Sequence, residues 1–188
     1  MDWLTEVLVA LVVLGAVVVY LSSMAGRLDR LHHRLETSHA ALDAQLLRRG
    51  AAAQEIASSG FLDPASAIVV SAAAQEALVV DPDDDTERSA AESELTRALG
   101  TVLATREDVD DVRAAAEPDL DVADQLLEEL AVACRKVALS RRFHNDVVRS
   151  TLQLRRKRVV RWFRLAGYTA MPSPIDFDDT VPAGLEGR

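Results

Sequence analysis

Residues 7–26 form an unbroken run of 20 residues without a charged side chain, rich in Val and Leu. About 20 apolar residues, each rising 1.5 Å along a helix, match the thickness of the hydrocarbon core of a bilayer. The run therefore predicts an N-terminal transmembrane helix over residues 1–26, with Trp3 and Tyr20 as interfacial anchors. Asp2 and Glu6 precede the run and no Lys or Arg does, whereas Arg27, Arg30 and Arg34 follow it directly. The positive-inside bias then puts the short N-terminus outside a cell membrane crossed once and the remainder of the chain in the cytoplasm. A cleaved secretory signal is the competing reading, because Ser23-Met24-Ala25 loosely fits a small-x-small cleavage site. The lack of a positive charge before the run, and of a loop after it, argues against that reading.

Beyond the run the pattern is helical throughout. Leu28, Leu31, Leu35, Ser38, Leu42, Gln45 or Leu46, Arg49, Ala53 and Ile56 recur at spacings of three and four, the signature of one helix face. The membrane helix is expected to continue into this stripe. Ser58-Ser59-Gly60 ends it, and Asp63-Pro64 supplies an N-cap and an N1 proline for a second helix reaching Val80. The aspartates at 81 and 83–85 mark a turn that opens a third helix, with Leu95, Leu99, Val102 and Leu103 as its apolar face. Acids at a helix start complement its dipole, and the cluster lacks the glycine and distal glutamate of an EF-hand calcium loop. A further helical stretch starts at Arg106. Pro118-Asp119 then opens a long helix in which Leu120, Ala123, Leu127, Leu130, Cys134, Val137 and Arg141 form a buried stripe. No alternating strand pattern of useful length appears. The fold class is all-α: the transmembrane helix, then an antiparallel bundle of three to four helices over residues 27–166. The acidic tail at 167–188, interrupted by Pro172 and Pro174, is expected to be disordered.

Several chemistries lack their residues. Cys134 is the one cysteine, so neither an internal disulfide nor a cysteine metal cage is available, and its helical setting reads as a buried structural thiol. No two of His32, His33, His39 and His144 fall at i and i+4 with a carboxylate base, so neither a zincin nor a carboxylate-bridged di-metal pattern is present. No glycine loop cradles phosphate and no serine lies in a nucleophile elbow. No cofactor, metal, catalytic residue, small-molecule substrate or nucleic acid is expected. His144-Asn145 has two readings: a buried polar network that fixes helix register, or an exposed or half-exposed pair.

The formal net charge of −9 conceals a separation: residues 61–134 hold 19 acids and 4 bases, whereas 135–164 hold 11 bases and one acid, Asp146. The densest part comprises Arg155, Arg156, Lys157, Arg158, Arg161, Trp162, Phe163 and Arg164. On a continuous helix through Leu165, Val159, Val160, Trp162 and Phe163 share one broad face while Lys157, Arg158, Arg161 and Arg164 gather opposite, as in a helix lying in a membrane interface. A basic side chain near an anionic leaflet contributes on the order of 1 kcal/mol. This segment is the predicted contact with membrane lipids, or with an acidic protein surface that includes another copy of the chain.

Two stretches resemble the LemA family of bacterial membrane proteins. One is Ala41-Leu42-Asp43-Ala44-Gln45-Leu46-Leu47-Arg48-Arg49. The other runs from Glu117-Pro118-Asp119-Leu120, through Leu126-Leu127-Glu128-Glu129-Leu130, to Arg141-Arg142-Phe143-His144-Asn145-Asp146. His144-Asn145 stands where the family usually has Tyr-Asn, and an arginine-rich stretch replaces the family's Phe-Pro segment. The resemblance implies an antiparallel helical bundle behind one membrane anchor, with no established enzymatic activity. The expected role is thus a membrane-anchored structural or protein-interaction module. The alternative is a hydrolase, or a regulator of a membrane-associated enzyme.

Overall fold

The computed structural model describes residues 2–81, 84–163 and 171–187. All regular structure among them is helical: α1 (Asp2–Ser58), α2 (Pro64–Val79), α3 (Asp85–Val102), α4 (Arg106–Ala115), α5 (Leu120–Arg155), the short α6 (Arg158–Trp162) and a 3-10 turn at Ala183–Leu185. They divide into two compact units, Met1–Thr37 with Asp146–Pro174, and Ser38–Asn145 with Ile175–Arg188, so α1 and α5 each contribute to both.

In the first unit every side chain from Trp3 to Tyr20 is exposed. Most monomeric soluble proteins limit a contiguous apolar patch to about 300–600 Å². Here an entire helical cylinder of Val and Leu is left uncovered. Among the described residues, α1 is the one helix long and apolar enough to cross a membrane. Past the run, Met24 and Leu28, with Leu31 beside them, pack against Leu154 and Val160.

The second unit is the bundle. Asp63 caps α2 by accepting from the backbone N–H groups of Ala65 (3.0 Å) and Ser66 (3.1 Å), with Pro64 inside the first turn. These bonds also hold the Asp63 carboxyl below the ordinary value, with the Ser66 hydroxyl as the largest influence. Asp84 caps α3 in the same way, through Thr86 and Glu87. Thr105 and Asp108 form a reciprocal capping box at the start of α4. Asp84 and Asp85 of the aspartate cluster thus start a helix, while Pro82 and Asp83 lie outside the described residues.

Ile56, Val70, Leu95, Leu99, Leu127 and Leu130 meet in one core fed by α1, α2, α3 and α5, with Val109 and Val112 of α4 and Leu185 of the 3-10 turn. Within this unit α1 and α5 run antiparallel, since Ser38 meets His144 while Leu46 packs with Val137. The stripes expected from periodicity are the buried ones: Leu42, Leu46, Ala53 and Ile56 on α1, and Ala123, Leu127, Leu130, Cys134 and Val137 on α5.

Two expectations need correction. The tail is not structureless over 171–187: Ile175, Phe177 and Leu185 are buried, and the 3-10 turn packs against the bundle. Its acidic composition conceals three large apolar anchors whose partners lie far away in sequence. Gly184 marks how close that approach is, because its N–H donates to the Leu103 carbonyl at 3.0 Å and an added Cβ would lie 2.3 Å from the carbonyl oxygen of Thr105. Residues 167–170 lie outside the described residues. The second correction concerns the basic end, where the helix does not continue to Leu165. α5 stops at Arg155, and α6 starts at Arg158 after Lys157 adopts an extended backbone. The break turns Val160 inward against Met24 and Leu28, taking it out of the proposed lipid-facing surface.

Candidate functional site

The most deeply buried charges lie in the bundle. Arg49 sits on the buried stripe of α1, where an apolar side chain would ordinarily stand, and is only 1% exposed. It forms an ion pair with the carboxylate of Glu92 on α3, which is equally buried. Its guanidinium also donates to the Thr96 hydroxyl at 3.0 Å and to the Glu92 carbonyl at 3.1 Å. Burial pushes the Glu92 carboxyl above its ordinary value, and Arg49 opposes that push. Such a pair, hydrogen-bonded from several sides although the buried Arg49 Nε has no partner among the described residues, fixes the register of α1 against α3.

The tail closes over this pair. The Thr96 hydroxyl donates to the Asp178 carbonyl at 2.6 Å, and the Phe177 ring lies under the guanidinium of Arg49 (5.9 Å) and that of Arg141 (5.4 Å). Arg141 donates to both carboxylate oxygens of Asp179, at 2.9 and 3.0 Å, and to Asp176 at 3.0 Å. The Asp179 hydrogen bond is the main influence raising the Arg141 pKa. Asn145 pairs with the backbone of Ile175 in both directions, donating at 2.8 Å and accepting at 3.0 Å.

His144 is buried, with the Ser38 hydroxyl 3.0 Å from its Nδ1 and the His39 ring edge-on at 5.5 Å. His39 in turn lies 3.1 Å from Asp43, which accepts from Arg88 at 2.6 Å. His144 is thus buried and Asn145 half-buried, and both join polar networks: His144 bonds to α1 and Asn145 to the tail. The Ser38–His144 pair has the composition of a nucleophile and its base, yet both groups are sealed from solvent. Cys134 is likewise buried, and burial pushes its thiol above the ordinary range, which disfavours the reactive thiolate.

Burial, and after it His39, push the His144 pKa below its ordinary value, while Asp43 and Asp85 oppose the shift. The folded state thus favours the neutral ring, and the unfolded chain binds more protons as the pH falls below about 6.5. The contribution of His144 to stability is complete above that value and is lost as pH falls through the folded pKa. Glu92, with its raised pKa, contributes in the opposite sense. The difference between the parent chain and His144→Gln isolates the histidine: between pH 7.5 and pH 5 the urea midpoint is expected to fall more in the parent than in the variant.

The first unit carries the basic end. Arg155 closes α5, Arg156 and Lys157 occupy the exposed turn, and Arg158 and Arg161 are exposed on α6. Trp162 is 87% exposed and Phe163 53%, directly beside the inward-turned Val160. Arg164 lies outside the described residues. A cleft of about 400 Å³ opens between α1 and the end of α5. Arg27, Arg30 and Arg34 line one side, and Ser150, Gln153 and Lys157 the other. Of the predicted contact residues only Lys157 lines it. The three arginines of α1 entered the sequence reading solely as markers of orientation. Their i, i+3, i+7 spacing, repeated by Ser150, Gln153 and Lys157, was the signal that pairs the two faces.

Among the described residues no group of three or more His, Cys, Asp or Glu side chains is placed to hold a metal ion. No protein-family model, no curated protein and no solved structure matches this chain.

Proposed function

We propose that this chain is a membrane-tethered structural or protein-interaction module of LemA-like type, whose helical bundle stands in the cytoplasm and whose basic end rests on the membrane that α1 crosses. The observation that carries the reading is the seat of α6: Val160 packs on Met24, which lies within the apolar run, while Trp162 and Phe163 project outward beside Arg158 and Arg161. If α1 spans the bilayer, α6 sits at the depth where that span ends. An exposed tryptophan and phenylalanine flanked by arginines is the composition of an interfacial contact. The chain then holds the membrane twice, once through hydrocarbon and once through headgroups. The resemblance of residues 41–49 and 117–146 to the LemA family supports the same architecture.

Cysteine labelling in intact cells tests the orientation. In a Cys134→Ala background, a cysteine at position 2 is expected to react with a membrane-impermeant maleimide from outside. One replacing the exposed Ser173 is expected to react only after lysis. Labelling of position 173 in intact cells would place the bundle outside the cytoplasm.

A further inference from the structure

The cleft lined by Arg27, Arg30, Arg34 and Lys157 is, we infer, a binding site for the phosphate-bearing headgroup of an anionic lipid. Four cations surround it, and no carboxylate is among its lining residues. Among the described residues none of the four forms an ion pair. By contrast, Arg49, Arg88, Arg97, Arg113, Arg135, Arg141 and Arg149 all pair with acids. Charges gathered without partners repel one another and remain together most favourably when an anion joins them.

The donor set suits phosphate. Each guanidinium presents a planar fork that matches two oxygens of a phosphate, Lys157 adds a point charge, and Gln153 supplies neutral N–H donors on the facing side, while the Ser150 hydroxyl donates to the Asp146 carbonyl at 2.9 Å. Leu31 and Leu154 give the cleft its apolar contribution. The arginines are exposed, so their charge is not committed to the fold.

Depth selects a lipid over a soluble phosphate ester. This step rests on the membrane crossing proposed above. At 1.5 Å per residue, Arg27 and Arg30 lie about 1.5 and 6 Å beyond Gly26 along the helix, and Arg34 about 12 Å. The headgroup layer on one side of a bilayer is about 5–7 Å deep. Arg27 and Arg30 therefore fall within it and Arg34 just beyond, leaning over the phosphate from the aqueous side. The lipid's acyl chains would run along the exposed Val and Leu surface of α1. A phosphomonoester headgroup, carrying more charge than a phosphodiester, is the preferred class.

The test is native mass spectrometry of the full chain in detergent, titrated with phosphatidic acid, phosphatidylglycerol, phosphatidylcholine or inorganic phosphate. One phosphatidic acid per chain is expected, held more tightly than phosphatidylglycerol and far more tightly than phosphatidylcholine. Arg30→Gln/Arg34→Gln is expected to weaken it roughly 30-fold, at about five-fold for each cation removed. Arg48→Gln/Arg142→Gln, two exposed arginines of the bundle outside the cleft, is expected to leave it unchanged. Equal retention of phosphatidylcholine, or equal phosphatidic acid binding by the two double variants, overturns the site. Displacement of the lipid by an equal concentration of inorganic phosphate overturns the assignment to lipid. Because the assay reads the cleft in detergent, it separates the two ideas: correct cysteine labelling with no lipid preference removes the cleft alone, and the reverse result removes the topology alone.

Discussion

Replacing Arg49 with methionine is expected to destabilise the bundle by about 3–5 kcal/mol, because it leaves the Glu92 carboxylate buried without its counter-charge. Arg49 and Glu92 are each 1% exposed, so water cannot take the place of the lost partner. For a chain of this size that loss lowers the thermal midpoint by roughly 10 °C, read by circular dichroism in detergent. The double variant Arg49→Met/Glu92→Met is expected to recover much of the loss, since it removes both desolvated charges and fills the space with apolar atoms. A double variant as unstable as the single one would show that the hydrogen bonds from Arg49 to Thr96 and to the Glu92 carbonyl, not the ion pair, carry the effect.

Phe177→Ala is the second large change, at about 3 kcal/mol. The Phe177 ring packs with Leu42, Leu46, Val137 and Ile175 and forms the platform under two guanidinium groups. Without it the tail keeps the bonds of Arg141 and Asn145 but loses its main apolar anchor. The expected result is release of residues 175–187, seen as protease cleavage within the tail at enzyme concentrations that leave the parent chain intact. Because the tail covers Thr96 and the Arg49 platform, its release is expected to lower the thermal midpoint of the bundle as well. Cleavage unchanged from the parent would mean that Arg141 and its two aspartates hold the tail by themselves.

α1, α3 and α5 were legible because each presents a periodic face. On α1, Leu42, Leu46, Ala53 and Ile56 are buried where the spacing of three and four requires, and Arg49 occupies a place in the same stripe. A charged residue at a core position already signals a buried partner. Glu92 could not be picked out as that partner, since residues 61–134 contain 19 acids and only tertiary packing selects one. The caps at Asp63 and Asp84 were legible because their chemistry is local. The docking of the tail was not, for the opposite reason: Ile175, Phe177 and Leu185 meet residues 30 to more than 100 positions away, and the aspartates around them read as solvating until Arg141 appears opposite.

The basic end shows the same divide. Its charge was plain in the sequence, but the break at Lys157 was not, because residues 155–158 contain neither glycine nor proline. Packing of Val160 against Met24 and Leu28 outweighs continuation of a regular helix there. The same packing sets Trp162 outward, and it brings α6 to the end of the apolar run.

In the proposed function α1 and α6 meet one bilayer, and the emission of Trp162 reports on that directly. With Trp3 replaced by Phe, Trp162 is the sole tryptophan of the chain. In proteoliposomes containing anionic lipid, acyl chains brominated close to the headgroup are expected to quench it strongly, and chains brominated near the bilayer centre to quench it weakly. Emission unaffected by bromine at either depth would contradict the account, leaving the basic end in water and α1 without its second hold on the membrane.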